Sequence, residues 1–152
     1  MPLVATYLIF GDPIEKIDPM TTPPKERHLA IKVRMMPRDT NPHGTIFGGV
    51  LLSYIDQAGA IGAEHQFRCN GGTVHPLVTV AMNAVEFHQP VHVGDVVSFW
   101  TEIGRIGRTS INVHVTVETD RGEEIVTVTE ADVTYVAVEV RDGQRRPVAI
   151  QD

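Results

Sequence analysis

Between Gly48 and Gln66 the chain carries its one strong helix signal, and that signal is apolar almost all the way round: Val50, Leu51, Leu52, Tyr54, Ile55, Ala58, Ala60, Ile61 and Ala63. The segment is long enough for about five helical turns. A helix that is apolar over most of its circumference has to be enclosed by other structure, and Gly59 and Gly62 offer places where that structure comes close. Its surroundings are β-rich. Arg27 to Met36 alternates in part, with Leu29, Ile31, Val33 and Met35 on one side. After Gly71-Gly72 come four stretches rich in Val, Thr, Ile and aromatics, near residues 73–88, 95–106, 109–119 and 124–139. Gly94-Asp95, Gly104 to Gly107 and Asp120-Arg121-Gly122 separate them, the last being the strongest hairpin signal because glycine supplies φ > 0. Consecutive antiparallel pairing of the four stretches is expected. One helix for five strands predicts an α+β domain in which a sheet wraps around the helix.

The remaining features bound the function. At 152 residues the chain fits one domain that can bury a core without disulfides or a structural metal. Residues 1–26 hold five prolines and no sustained period, and read as an irregular arm ahead of a single domain at 27–152. A formal net charge of −6 leaves no overall positive field for nucleic acid or an anionic membrane, so an anionic ligand would need a local basic patch. The apolar run Leu3 to Phe10 is too short to span a bilayer, and Cys69 stands alone without a partner for a disulfide, so cytoplasm is the expected compartment.

Chemistry is expected at Asp56. It is the sole charged residue between Gly48 and Ala63, in mid-helix, where aspartate has poor propensity and unpartnered burial is costly. It could cap a neighbouring loop, but a carboxylate planted in apolar surroundings is suited to general-base or nucleophilic work. Phe47-Gly48-Gly49 opens the helix, where unpaired N–H groups and the positive dipole end favour developing negative charge. Such a terminus can hold the oxyanion of an attacked carbonyl, although an isolated Gly-Gly also serves plain turn chemistry. Gly48 and Asp56 are eight positions apart (56 − 48), about 12 Å along a helix, so one carbonyl cannot touch both. Two copies with antiparallel helices would bring the tip of one beside the middle of the other and create two equivalent composite sites.

These residues carry a resemblance. Met36-Pro37-Arg38-Asp39-Thr40-Asn41, then Gly44, Ile46-Phe47-Gly48-Gly49 and Asp56 are spaced as in the hotdog-fold acyl-CoA thioesterases, especially the bacterial short- to medium-chain acyl-CoA hydrolases. Val93-Gly94-Asp95-Val96-Val97, Gly107-Arg108-Thr109-Ser110 and Tyr135-Val136-Ala137-Val138 extend the likeness over residues 29 to 148. The resemblance implies a five-stranded antiparallel sheet curled around the helix. It also implies a homodimer, or a multiple such as a tetramer or hexamer, with acyl-CoA bound along the subunit seam. By position, Asp56 resembles the family's catalytic carboxylate, Asn41 the residue that places thioester or water, and Gly48 and Gly49 the oxyanion donors. The implied reaction is hydrolysis of acyl-CoA to free acid and CoA, a reaction of lipid metabolism, with Asp56 activating water or attacking the carbonyl itself. CoA belongs to the substrate, and no cofactor is implied.

CoA carries phosphates, so its binding calls for arginine and small donors. Arg105, Arg108, Thr109 and Ser110 cluster at one strand junction, which is also what a solvated turn looks like. His43 and Thr45 depart from the family pattern, and His43 is a second-rank candidate for substrate contact. His88 and His92 are interrupted by Pro90 and have no third ligand at metal spacing, so no metal site is expected. Cys69 lacks an evident base, and no phosphate loop or dinucleotide glycine pattern opens the helix. Two other readings are a hotdog enoyl-CoA hydratase, which Asp39-Thr40-Asn41-Pro42-His43 loosely resembles, and a non-catalytic acyl-CoA sensor. The first leaves Asp56 without a task, and the second leaves the whole Asn41, Gly48, Gly49 and Asp56 set idle.

Overall fold

The computed structural model describes residues 26–150. The irregular arm expected over residues 1–26 therefore lies almost wholly outside the described residues. Strand β1 (His28–Arg34) leads through a single 3-10 turn at Pro37–Asp39 into helix α1 (Gly48–Cys69). Four strands follow: β2 (Leu77–Phe87), β3 (Val96–Ile106), β4 (Ser110–Asp120) and β5 (Ile125–Arg141), and a short β6 (Gln144–Pro147) ends the series. The helix continues three residues past Gln66 and stops where Gly71 takes a positive φ of 69° and the Gly72 amide turns back to the Phe67 carbonyl.

The strands form one antiparallel sheet in the order β1-β3-β4-β5-β2, with β6 added to the end of β5. Two expectations are corrected. Consecutive pairing holds for β3 with β4 and β4 with β5, but β2 pairs with β5, and β3 takes β1 as its other neighbour. Residues 88–95, with Pro90 in their midst, are too long for a tight turn. They cross beneath the start of α1, where the Ile46 amide donates to the Val91 carbonyl at 2.8 Å. The last strand, expected to end near residue 139, runs to Arg141 and is followed by the unexpected β6. Asp142 and Gly143 have φ of 51° and 72°, the paired positive values of a two-residue hairpin turn, and they fold β6 back on β5.

The core lies between α1 and the concave face of the sheet. On β4, Ile111, Val113, Val115 and Val117 are fully buried while the residues between them face outward, the period of two that a half-covered strand requires. Leu51, Ile55, Ala58, Gly59, Gly62, Ala63 and Phe67 form the helix stripe that meets this face. Burying each large aliphatic side chain here contributes about 1.5–3 kcal/mol. Gly59 and Gly62 are the points of closest approach: a Cβ on either would overlap the Tyr135 hydroxyl or the Thr101 side chain. The enclosure expected of so apolar a helix is met on one side by the sheet. Val50, Leu52, Tyr54 and Ala60 remain half-buried and Ile61 is exposed.

Candidate active site

Asp56 lies on an unbroken helix that begins at Gly48, so the separation of about 12 Å between helix tip and carboxylate stands. The side chain is half-buried and turned toward the edge strand β2, where the Thr79 hydroxyl donates to its Oδ1 at 2.6 Å. Its backbone is held as well, because the Tyr135 hydroxyl donates to the Asp56 carbonyl oxygen at 2.5 Å. Burial first, and then the Asp56 charge, push the Tyr135 hydroxyl well above the ordinary tyrosine value, partly offset by the Ala60 amide. The phenol therefore stays protonated and donating across the working pH range. Sequence reasoning missed Thr79 and Tyr135 as partners of Asp56. Neither stands near it in the chain, and only the β2–β5 ladder, which sets Thr79 directly opposite Tyr135, brings both to one helical residue.

The helix tip keeps the character expected of it. No backbone carbonyl among the described residues accepts from the Gly48 or Gly49 amide, while Val50 closes a turn on the Phe47 carbonyl. The Phe47 ring lies over Gly49, where a Cβ would collide with it, and the Phe87 ring sits 3.5 Å from where a Cβ on Gly48 would stand. Both phenylalanines are exposed, at 57% and 54%. Gly48, Leu51, Ile46, Phe87, His88 and Val91 border an open cleft of about 260 Å³ beside this tip. Asp56 is not among its lining residues, so within one protomer the amide end and the carboxylate remain apart.

Asn41 has a local occupation. Its Oδ1 accepts from the His43 amide at 2.9 Å and the Thr45 amide at 3.2 Å, and its Nδ2 donates to the Thr45 hydroxyl at 2.9 Å. It thus organises the 41–45 loop, with Gly44 at φ 83°, that delivers the chain to the helix tip. His43 contributes its amide to this loop, and its ring is exposed. At the other end of the sheet, the 107–110 turn is clamped through its backbone. Gly107 donates to the Ser110 carbonyl, Ala137 to that of Thr109 and Ile150 to that of Arg108, each at 2.8 Å. Thr109 and Ser110 are half-buried, whereas Arg105 and Arg108 are exposed and without an ion pair among the described residues. The missed strand β6 adds two more exposed cations, Arg145 and Arg146, to the strand whose continuation reaches Arg108. His88, considered with His92 as a metal ligand, instead bonds Glu130 at 2.8 Å, the start of a ladder that runs through His114 to Asp132 on the outer face.

Comparison with known proteins agrees with this architecture. Residues 43–126, more than half of the chain, match the family model of the thioesterase superfamily. The acyl-CoA thioester hydrolase YciA of Salmonella typhimurium is 41% identical over 128 residues, which span 81% of this chain and 91% of that protein. The crystal structure of a hexameric hotdog-fold thioesterase of Campylobacter jejuni superposes with a TM-score of 0.68 at 40% identity, covering 80% of this chain and 90% of that one. A hexameric thioesterase of Yersinia pestis gives a TM-score of 0.71 at 34% identity, over 87% of this chain and all of the other. With matches of this extent laid over a helix-and-sheet core that carries Asp56 and the paired glycines, the chain belongs to the thioesterase superfamily and has its hotdog fold.

Proposed function

We propose that the protein hydrolyses acyl-CoA thioesters to the free acid and CoA, at sites that two copies of the chain build together. The observation that carries this reading is the division of the machinery along α1. A carboxylate anchored by Thr79 lies at mid-helix, and amides without backbone acceptors lie at the tip, about 12 Å away. Antiparallel packing of two such helices unites one copy's carboxylate with the other's tip. The sheet supports that arrangement, because β2 is its terminal strand among the described residues and carries exposed Val80 and Phe87.

In the composite site the Gly48 and Gly49 amides polarise the thioester carbonyl and receive the oxyanion. Asp56 takes a proton from water as the water oxygen bonds to the carbonyl carbon; the carbon–sulfur bond then breaks, the sulfur takes that proton back from Asp56, and CoA leaves as the thiol. Direct attack by the carboxylate uses the same geometry: the carbon–sulfur bond breaks and CoA leaves as the thiolate, and water then opens the anhydride to give the free acid, regenerate the Asp56 carboxylate and supply the proton that the thiolate takes up. Asn41 serves this chemistry by fixing the loop that aims the helix tip, and its remaining amide proton is available to the thioester or water. Arg105 and Arg108, with Thr109 and Ser110, face the CoA phosphates, and His43 lies at the entrance. No residue in this scheme requires a cofactor. The relatives named above support the reading through the activity and the hexameric assembly in their names, and a multiple of dimers is the form proposed here.

Thiol release from a panel of acyl-CoAs tests the reading. Asp56→Asn is expected to lower kcat by about 10³-fold or more while leaving the oligomer intact. Wild-type rates in that variant would remove Asp56 from the mechanism, and hydration of crotonyl-CoA without thiol release would replace hydrolysis altogether. Arg108→Ala is expected to raise KM several-fold with kcat preserved, the signature of lost uniform binding, and an unchanged KM would withdraw the phosphate assignment.

A further inference from the structure

Tyr135 is 1% exposed in the middle of β5, and its hydroxyl is spent on one acceptor, the backbone carbonyl of Asp56. That carbonyl has two lone pairs, so it can serve the helix ladder and the phenol together. The contact exists because position 59 has no side chain: a Cβ there would overlap the Tyr135 hydroxyl and lie 3.0 Å from the ring. Two departures from the default core are thus accepted for one hydrogen bond. A buried hydroxyl is costly wherever it lacks a partner, and glycine inside a helix costs about 1 kcal/mol relative to alanine. A phenylalanine facing an alanine-lined helix would avoid both.

Directly opposite Tyr135 across the β5–β2 ladder stands Thr79, the residue that donates to the Asp56 carboxylate. Opposed residues of an antiparallel pair emerge on the same face, so the two hydroxyls form one unit whose spacing the sheet sets. One hydroxyl grips the main chain of Asp56 and the other its carboxylate. The position of the acid is thereby referred to the sheet, with two points fixed, rather than to the helix alone.

We propose that Tyr135, seated against Gly59, is a positioning residue for the thioester hydrolysis inferred above, holding the Asp56 turn of the helix so that its carboxylate stays on Thr79. The proposal rests on that functional reading. Its failure is distinguishable, because Asp56→Asn tests the carboxylate itself whereas the variants below leave it in place.

Tyr135→Phe retains the ring and its packing and removes only the hydroxyl. The expected result is a fall in kcat of about tenfold with KM unchanged, equivalent to about 1.4 kcal/mol of lost transition-state stabilisation. Thr79→Val is expected to act in the same direction. Because both side chains act through one carboxylate, the double variant is expected to lose less than the product of the two single effects. Gly59→Ala, which displaces the hydroxyl from the helix side, provides a second route to the same loss of kcat at constant KM, and a thermal melt of each variant reports whether its fold is retained. Unchanged kcat in folded Tyr135→Phe, a strictly multiplicative double variant, or an effect confined to KM would overturn the assignment while leaving the role of Asp56 standing.

Discussion

Thr129 sits fully buried on β5, and its hydroxyl oxygen finds no hydrogen-bond partner among the described residues. An unsatisfied buried hydroxyl costs about 1–3 kcal/mol, more than the small packing change of an added methyl group. Thr129→Val is therefore expected to stabilise the fold by about 1 kcal/mol, read as a higher denaturation midpoint at unchanged m-value. Thr101 and Thr119, also buried, donate to the His28 and Val96 carbonyls, so the same substitution there is expected to destabilise. At this scale the sequence was legible where a residue broke a local rule. Asp56 stood out as the lone charge between Gly48 and Ala63, and Gly59 and Gly62 marked the close approaches that Tyr135 and Thr101 occupy. Thr79 breaks no rule in its own strand, and its importance comes entirely from what lies above it.

At the scale of elements, the junction between β1 and the last turns of α1 is closed by two imidazoles. His28 and His65 stack with ring centroids 3.8 Å apart and planes within 5°. Burial, and then the proximity of His65, lower the His28 pKa from its ordinary 6.5. The other ionisable groups lining the hollow beside these two rings are Glu26, Arg27 and Cys69, the last 3.5 Å from the His65 ring. With the folded-state value depressed, the unfolded chain binds more protons below 6.5. The stability from this contact is present above 6.5 and is lost as pH falls through the lower folded-state value. Thermal midpoints followed from about pH 8 to about pH 5 should fall less steeply in His28→Phe, which keeps a stacking ring without the titration. An identical slope in the two proteins would count against the stack as a source of acid sensitivity. Element identities were readable because the helix and strands carry different hydrophobic periods. Strand β6 was missed although Asp142-Gly143 is a strong hairpin signal, because its four residues are all exposed and show no apolar alternation.

For the whole molecule, the half-covered helix face, the phenylalanines at the helix tip and the β2 edge leave apolar surface open among the described residues. Val80 is 56% exposed on that edge, within a register shift that turns it away from the β5 ladder. Val80→Lys places a charge where a second copy would add its strand, a common means of blocking edge pairing. Loss of the oligomer by sedimentation, together with loss of thioesterase activity and retention of the monomer's fold, is the expected result. A fully active monomer would contradict the composite site.

The sequence by itself determined the class of fold and singled out Asp56 as the candidate acid. Hydrophobic periods are written locally, and a carboxylate set among the apolar residues of positions 48–63 is visible without coordinates. Only the tertiary structure decided that β2 leaves its chain neighbour β3 for β5, that Thr79 and Tyr135 converge on Asp56, and that the Asn41 amide is engaged in its own loop. Those outcomes depend on sheet order and register. Both are set by how the helix and the 88–95 crossing share one concave face, and no local stretch of residues encodes that competition.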